Sequence, residues 1–463
     1  MQKETNGTAA NARRDIDSID VPVNFNWNSD SSPLSPIPTS IPGEPLAAEV
    51  ARTQILSECL RDGLQGIPGY PTVDDMMRYL HLLHGFGIKY ATVGIYPGNA
   101  DRLNATMKQL LARMRDELPG IVPSVLSMCT EESLKWTVEC RDVHPALESV
   151  VFMGSAPSRR LVQGWDLDFI LNKLETFIKK TVETGIPVVA GTEHTSQTSP
   201  EDLRAITRTQ VESGAYIVAM ADTIGVIRPL GTYRLVRFIR DELDALGVPD
   251  MQMDWHGHRD TGNALGNAMA AVAAGAGRIH VVSRGVGERS GNASLEEVVL
   301  NFAAIEEEAG LPVSWDMSQL LELITCYQKM VGVPAPEHGV LGRRYSHTSS
   351  GIHTDAILKA HHLADLAREA DNGELEDKLR DMSRTVYSAV DPAAVGGVPS
   401  VAVSPWSGQS SVRLAYMLSG RDPRELSTQI IEGLLARANE LGRELTSQEL
   451  EEGFAKAHAS HAA

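Results

Sequence analysis

From residue 51 to about residue 325, short apolar runs alternate with longer stretches in which hydrophobic residues recur at helical spacing. Apolar runs rich in β-branched residues are typical of parallel strands buried on both faces, and eight strand–helix units close a (β/α)8 barrel. The pattern therefore predicts an α/β protein built on a TIM barrel. The predicted strands are Thr53–Cys59, Ile88–Tyr96, Ile121–Met128, Ser149–Met153, Pro187–Gly191, Tyr216–Met220, Met251–His256 and Ile279–Ser283. The predicted helices include Val73–Gly85, Ala100–Glu117, Asp166–Glu183, Pro200–Ser213, Leu230–Leu246, Asn263–Ala274 and Ser294–Glu308.

The segments that flank this pattern differ from it in composition. Residues 1–48 are rich in Asn, Ser, Asp and Pro, which predicts a flexible arm that drapes over a partner subunit or is simply disordered. Residues 49–325 form the predicted catalytic barrel. Residues 326–463 carry helical patterns and a loop rich in Pro and Gly, and we predict a helical appendage there.

Polar side chains stand at the carboxyl ends of three predicted strands. Asp62 follows the first strand, His256 and His258 lie at the end of the seventh, and Asn292 lies in a glycine-rich turn after the eighth. Side chains two apart on a strand leave the same face, and the chemistry of barrels gathers at the carboxyl ends of the strands. One carboxylate, two imidazoles and an amide oxygen suit a divalent ion, Zn²⁺, Mn²⁺ or Mg²⁺, that polarises a carbonyl group.

Composition narrows the classes of function. The formal net charge of the 463 residues is −18, so nucleic acid and anionic membranes are not expected as partners. No apolar run reaches the roughly 20 residues that a membrane span needs. The four cysteines are scattered without a Cys-x-x-Cys pair, which is typical of reduced thiols and favours a cytoplasmic protein.

Several longer motifs resemble a known family. They are Leu-Arg-Asp-Gly-Leu-Gln at 60–65, His-Gly-His-Arg-Asp-Thr-Gly-Asn at 256–263 and Gly-Val-Gly-Glu-Arg-Ser-Gly-Asn-Ala-Ser at 285–294. Together they resemble the Claisen-condensing barrel enzymes of the DRE-TIM metallolyase group, which are the 2-isopropylmalate, homocitrate, citramalate and Re-citrate synthases. Matches at 349–355 and 387–396 extend the resemblance to roughly residues 50–420.

The resemblance implies an acyltransferase that condenses acetyl-CoA with a 2-oxo acid and water, and releases CoA and a 2-alkylmalate-type product. At matching positions it implies that Asp62, His256 and His258 hold the metal. Asn292 would be a further ligand or a ligand through water.

The resemblance also implies roles for residues around the metal. Arg61 would stabilise the oxygen of the ketone under attack, Thr223 would bind the carboxylate of the 2-oxo acid, and Glu193 would take part in catalysis. His353 and Tyr387 would enter the barrel of a partner subunit, which implies a homodimer with an exchanged C-terminal segment.

The chemistry of a Claisen condensation calls for groups of these kinds. The 2-oxo acid must be chelated, which a divalent ion does while acting as a Lewis acid. A base must remove a proton from the acyl methyl group, and the candidates are His353, Glu193 or a Glu–His–Tyr relay. The developing alkoxide needs a cation, which Arg61 can supply.

The usual 2-oxo acid pocket is altered at three places. Leu64 stands where a glutamate is common, the run Ala91–Gly94 lacks the usual glutamate of the second strand, and Val150–Phe152 replaces a His-x-Phe motif. These changes predict an atypical substrate.

Hydroxyl groups and positive charge lie near the altered pocket. Ser155, Arg159 and Arg160 are the candidate substrate-binding residues here, and paired arginines suit a second anionic group. We therefore predict an anionic 2-oxo acid such as phosphonopyruvate or oxaloacetate. The alternative is that both arginines face solvent.

Two other functions are compatible with parts of the sequence. A carbon–carbon lyase of the hydroxymethylglutaryl-CoA type shares the barrel, and Arg-Asp-Gly-Leu-Gln favours it, whereas the glycine-rich motif and the segment with His353 and Tyr387 favour condensation. A non-catalytic binding barrel would have no need of metal ligands, yet Asp62, His256 and His258 are all present.

Overall fold

The computed structural model describes Phe25, Trp27 and residues 46–461. The chain divides into two compact units. The first combines the chain up to Gly66 with Ile88–Pro312, and the second combines Ile67–Gly87 with Val313–Ala463. The helix that follows the first strand along the chain therefore belongs to the second unit, which the hydrophobic pattern did not predict.

The first unit is a closed parallel barrel, so the predicted TIM barrel is confirmed. Neighbouring strands pair in chain order, and the barrel closes where Gln54 pairs with Arg278 and Ser57 pairs with Val281. In the described part of the chain, the barrel strands are β1 (Gln54–Ser57), β2 (Tyr90–Ile95), β3 (Val122–Met128), β4 (Glu148–Gly154), β5 (Val188–Glu193), β6 (Ile217–Asp222), β7 (Gln252–Gly257) and β8 (Arg278–Val281).

Helices connect the strands, and single helical turns lie at the carboxyl ends of β1, β5 and β8, at Asp62–Leu64, Thr195–Gln197 and Ser283–Gly285. Asp62 lies in the first of these turns. Along the chain the helices to the end of the barrel are α1 (Leu46–Arg52), α2 (Val73–Phe86), α3 (Asp101–Glu117), α4 (Glu131–Val143), α5 (Pro157–Gln163), α6 (Leu167–Glu183), α7 (Pro200–Glu212), α8 (Pro229–Ala245), α9 (Ala264–Ala273) and α10 (Leu295–Glu308).

Helix α6 shows how the sequence builds the layer outside the strands. The carboxylate of Asp166 accepts a hydrogen bond from the backbone N–H of Phe169 at 2.7 Å, which caps the first turn. One face of the helix then buries Ile170, Leu174 and Phe177 in a core that also holds Val151 of β4. Burial of such side chains stabilises the fold by about 1.5–3 kcal/mol each.

The barrel interior carries buried charge as well as apolar side chains. Arg278 of β8 donates to Asp254 of β7 at 2.7 Å and to Glu148 of β4 at 3.2 Å. Because β4 and β8 are not neighbours in the barrel, the contact between Arg278 and Glu148 crosses its interior. Arg278 and Asp254 are almost completely buried, so the pairing offsets a large desolvation cost.

The second unit is mainly helical, as predicted for the C-terminal region. The rings of Tyr79 in α2 and Tyr327 lie 5.5 Å apart, and Tyr416 and Phe454 belong to a separate core. No helix among the described residues of either unit is long and apolar enough to cross a membrane. Besides α2, the helices and strands of the second unit are α11 (Leu320–Val331), β9 (His347–Thr348), α12 (Gly351–Glu369), α13 (Gly373–Thr385), β10 (Ser400–Val401), α14 (Gln409–Leu418), α15 (Thr428–Leu441) and α16 (Ser447–His461).

The predicted flexible arm, residues 1–48, lies mostly outside the described residues. Two of its aromatic residues are described, and both contact the barrel unit. The Trp27 side chain is buried, and its indole N–H donates to the backbone oxygen of Thr198 at 3.0 Å. The backbone N–H of Phe25 donates to Gln197 at 3.1 Å. The Trp27 ring also lies against Phe238 of α8, so this part of the arm packs on the barrel unit.

Candidate active site

Three predicted metal ligands meet at the carboxyl end of the barrel. Nε2 of His256 and Nε2 of His258 lie 3.2 Å apart, and Oδ2 of Asp62 lies 3.6 and 3.7 Å from them. Three ligands about 2.0–2.2 Å from one divalent ion would be separated by roughly 3.0–3.6 Å. The separations in this chain therefore fit a single ion that contacts all three side chains.

The surroundings of the two imidazoles also suit metal binding. Nδ1 of His258 lies 3.1 Å from the backbone oxygen of Gly291 and can donate to it, which leaves Nε2 with a free lone pair. Burial, His258 and Arg61 lower the pKa of His256 to about 3. His256 is therefore neutral at ordinary pH, as a ligand must be.

Asn292 supports the metal group from the glycine-rich turn. Its Nδ2 donates to Oδ1 of Asp62 at 2.9 Å and to the backbone oxygen of Val286 at 3.1 Å. Its Oδ1 is buried and has no hydrogen-bond partner among the described residues. A cation, or water bound to one, is the kind of partner that would satisfy this acceptor beside Asp62.

Glycine is needed in the turn that holds Asn292. Gly287 has a φ of +152°, and a Cβ there would lie 2.2 Å from Nδ2 of Asn292 and 2.7 Å from Oδ1 of Asp62. Any side chain would displace the two groups that this turn brings together. The glycine motif thus allows the close approach of Asn292 and Asp62 at the predicted metal group.

Arg61 is held between two carboxylates next to this group. Its Nε donates to Glu58 at 2.8 Å and its Nη1 donates to Asp62 at 2.7 Å. Burial acts to raise the pKa of Asp62, but Arg61 and His256 outweigh it and hold the pKa below its ordinary value. Asp62 is therefore ionised, and the guanidinium is fixed at the edge of the site.

Glu58 and His280 complete a network that sequence reasoning missed. Glu58 accepts from Thr92 at 3.0 Å and lies 3.2 Å from Nδ1 of His280, whose Nε2 lies 3.1 Å from Asp254. Burial acts to raise the pKa of Glu58, but Arg61 and His280 bring it well below its ordinary value. The sequence offered one signal for Glu58. It lies three residues before Arg61, close enough along the chain to pair with it.

An open cavity of about 330 Å³ lies over the carboxyl ends of the strands. It brings together Arg61, the three metal ligands, Thr223 and Glu193. Its apolar part includes Val150 and Phe152, two of the positions that depart from the family pattern. The other lining residues are Glu58, Gln65, Ile95, Leu126, Gly191, Thr192, Ala219, Met220, Ala221, His280, Glu288 and Arg289.

Thr223 is held at the mouth of this cavity by hydrogen bonds on both sides. Its hydroxyl oxygen accepts from the backbone N–H of His194 at 2.8 Å, and its backbone oxygen accepts from Arg289 at 2.6 Å. Arg289 is also paired with Asp260 at 2.8 Å. The hydroxyl proton of Thr223 is left to donate to a ligand such as a carboxylate.

Glu193 and Arg159 face each other at the end of β5. Nη2 of Arg159 lies 3.6 Å from Oε2 of Glu193, an ion pair that is longer than a hydrogen bond. The Nε of Arg159 is buried without a hydrogen-bond partner among the described residues. Arg159 thus keeps donor capacity beside the cavity.

Two other predicted substrate-binding residues are directed elsewhere. Arg160 pairs with Asp202 of α7 at 2.7 Å, so its charge is already neutralised. Ser155 is fully buried and bonds to Thr198 at 2.7 Å and to the backbone oxygen of Glu193 at 3.0 Å. Neither residue lines the cavity, and Arg159 does not line it either. Ser155 connects the end of β4 to the end of β5, and Arg160 connects α5 to α7.

His353 and Tyr387 belong to the second unit and are brought together there. Their rings stack with centroids 4.0 Å apart and planes 19° apart. Nδ1 of His353 lies 3.5 Å from the hydroxyl of Thr348. Tyr387 has 46% of its surface exposed. The predicted entry of this pair into a partner barrel remains a prediction.

Comparison with known proteins identifies the family. The HMGL-like family model matches residues 52–326, which is more than half of the chain and covers the whole barrel. The chain belongs to the HMGL-like family. The predicted relationship to the metal-dependent barrel enzymes is thus confirmed.

Two similar proteins are named as synthases. A putative (R)-citramalate synthase of Methanopyrus kandleri is 27% identical over 399 residues, which are 86% of this chain and 71% of the relative. A homocitrate synthase of the same organism is 30% identical over 287 residues, 61% of this chain and 64% of the relative. These names support the Claisen-condensing branch of the family that the motifs predicted.

A solved structure agrees on the fold alone. Hydroxymethylglutaryl-CoA lyase from Pseudomonas aeruginosa matches with a TM-score of 0.51 at 20% identity, over 63% of this chain and 95% of that chain. At this identity the match shows that both proteins share the barrel and carries no information on the reaction.

Proposed function

We propose that this HMGL-like protein condenses an acyl-CoA, with acetyl-CoA as the expected donor, with a 2-oxo acid. The observation that carries the proposal is the convergence of Asp62, His256, His258 and Arg61 on one cavity. The names of the relatives, citramalate and homocitrate synthase, point to the same class of reaction.

A divalent ion bound by Asp62, His256 and His258 would supply Lewis-acid chemistry at the keto oxygen of the 2-oxo acid. Thr223 donates to the carboxylate of the same substrate. Arg61, held by Glu58, places its charge where the alkoxide develops and so stabilises the transition state.

The reaction needs a base for the acyl methyl group. Glu193 lies in the cavity and is ionisable, so it can accept that proton directly or through a relay with His353 and Tyr387. The methyl carbon then bonds to the keto carbon. Water cleaves the thioester, and CoA leaves as the free thiol.

The proposed acceptor has a second anionic group. Arg159 does not line this cavity itself, but its Nη2 lies 3.6 Å from Glu193, which does, and the cavity wall includes Val150 and Phe152. A guanidinium suits a carboxylate or a phosphonate. Oxaloacetate and phosphonopyruvate are therefore the acceptors to test first.

Release of free thiol tests the condensation. Metal-loaded protein and acetyl-CoA are mixed with single 2-oxo acids, including oxaloacetate, phosphonopyruvate and the neutral 2-oxoisovalerate. We expect thiol release with an anionic acid and its loss in Asp62→Ala, with Asp241→Ala, which removes an exposed carboxylate of α8, as the matched control. Turnover that is best with 2-oxoisovalerate would contradict the anionic acceptor. No release with any acid, together with ketone release from a hydroxyacyl-CoA, would favour a lyase.

We further propose a homodimer in which His353 and Tyr387 serve the barrel of the partner. Their stacking and the exposed ring of Tyr387 support a pair that is free to contact another surface. Mixing Asp62→Ala with His353→Ala should restore about a quarter of the activity, because half of the randomly mixed dimers regain one complete site. Mixing Asp62→Ala with His256→Ala should restore none. Failure of the first mixture would contradict the exchange.

A further inference from the structure

A second cavity of about 410 Å³ adjoins the candidate active site. It lies where β3, β4 and α6 meet, and it shares Ile95, Phe152 and Glu193 with the first cavity. Cavities of this size are typical of ligand sites. The condensation of small substrates over the metal group does not by itself require this space.

The outer wall of the second cavity is aromatic. Trp165 and Phe169 stack with centroids 5.7 Å apart and planes 24° apart, and both line the cavity. The other apolar side chains of the lining are Ile95, Met128, Cys129, Phe152 and Met153. Aromatic rings favour a flat group that packs against them, and methionines adapt to its outline.

Two cations lie on this aromatic wall. The guanidinium of Arg159 lies 5.8 Å from the ring of Trp165, and the ammonium of Lys173 lies 5.7 Å from the ring of Phe169. Both residues line the cavity, and Lys173 has no ion pair within the described part of the chain. Glu193 is the acidic side chain of the lining. The cavity therefore carries an excess of positive charge in a chain whose net charge is −18.

Gly154 makes this position of Arg159 possible. A Cβ at Gly154 would lie 2.6 Å from Cγ of Arg159 and 3.1 Å from Oε2 of Glu193. A larger residue at the end of β4 would push Arg159 out of the space between the two cavities. The position of the Arg159 guanidinium thus depends on glycine at the end of β4.

We infer that the second cavity is a subsite for a planar group that carries negative charge. The ring lies against Trp165 and Phe169, and the anion lies at Lys173 and Arg159. Given the proposed function, on which this inference rests, two sources have this chemistry. They are the adenine–phosphate end of the acyl-CoA and an aryl carboxylate substituent on the 2-oxo acid.

Calorimetric binding to the full-length protein tests the subsite with one probe for each source. The probes are 3′,5′-ADP, which is the nucleotide part of CoA, and 4-carboxyphenylpyruvate. We expect one probe to bind the wild type and to bind Lys173→Gln and Trp165→Ala roughly tenfold more weakly, since one stacking or charge contact is removed. Lys179→Gln, on the exposed face of the same helix and paired with Glu175, should stay within about twofold.

The outcome identifies the source or overturns the subsite. Binding of 3′,5′-ADP that depends on Lys173 assigns the cavity to the acyl donor, and binding of the aryl acid that depends on Lys173 assigns it to the acceptor. Because Trp165 also packs on the core, Lys173→Gln decides the case if Trp165→Ala fails to fold. If neither probe binds, or if Lys173→Gln leaves both affinities unchanged, the inference is wrong. Thiol release in the same preparation reports separately on the proposed function.

Discussion

The amide of Asn292 donates to the carboxylate of Asp62 at 2.9 Å across 230 residues of sequence. This bond joins the turn after β8 to the turn after β1, which are neighbours because the barrel closes between those strands. Asp62 is thereby oriented by Asn292 on one oxygen and by Arg61 on the other. The predicted metal group therefore depends on closure of the barrel as well as on its three side chains.

The glycine turn should control metal affinity. In Gly287→Ala the new methyl group would collide with Asn292 and Asp62, so we expect the affinity for Zn²⁺ to fall about 10- to 100-fold. Gly310→Ala is the matched control, because Gly310 also has a positive φ and a Cβ there would meet no described atom within 4 Å. A competition titration with a fluorescent chelator measures the Zn²⁺ affinities of both variants. Equal affinities in the two variants would contradict the role of the turn.

The buried charges of the barrel should be costly to break. Arg278→Met leaves Asp254 and Glu148 without their cation, and we expect a loss of about 3–5 kcal/mol in the free energy of unfolding. Arg237→Met removes an exposed pair with Asp241 and should cost less than about 1 kcal/mol. Urea unfolding followed by circular dichroism compares them. A small loss in Arg278→Met would mean that the network contributes little to stability.

Arg159 and Arg160 should behave differently despite being adjacent. With oxaloacetate as acceptor, Arg159→Gln should lower kcat/KM about 10- to 100-fold, since a charge-assisted hydrogen bond is lost. With 2-oxoisovalerate the same variant should change little. Arg160→Gln should leave both values near those of the wild type, because Arg160 is paired with Asp202. A similar loss in both variants would show that Arg159 has no special part in recognition.

Only one of the protein's own thiols, that of Cys326, should contribute to a thiol-release assay. Burial raises the pKa of Cys129 and of Cys140 to about 12, so about one thiol in ten thousand is ionised at pH 8. Cys59 is fully buried. We expect only Cys326, which is partly exposed, to react with Ellman's reagent in the native protein. Labelling of Cys129 or Cys140 should rise as the pH approaches 12. Four fast-reacting thiols at pH 8 would contradict this.

The barrel and the convergence of Asp62, His256 and His258 could be predicted because each follows from a local pattern. Near-continuous apolar runs mark parallel strands, and polar residues that end those strands must meet at one rim. Glu58 and His280 were missed because their partners come from distant strands and no local pattern marks them. The helical spacing of hydrophobic residues predicted α2. It did not predict that α2 belongs to the second unit, because that depends on contacts with residues far along the chain.

Neighbouring residues on one turn were harder to assign. Arg159 and Arg160 are about 100° apart around α5, so at most one of them can face the cavity. The sequence does not say which. Ser155 could not be placed either, because its bonds to Thr198 and Glu193 depend on how β4 and β5 end.

Carbon-13 labelling of the acyl donor tests the central claim most directly. Metal-loaded protein is incubated with [2-¹³C]acetyl-CoA and the 2-oxo acid that gives thiol release, and the product is examined by NMR. We predict that the label appears as a methylene carbon bonded to a tertiary alcohol carbon, and that Asp62→Ala forms none of this product. A label found only in the methyl group of free acetate would mean that the protein hydrolyses the thioester without condensation, and would contradict the proposed function.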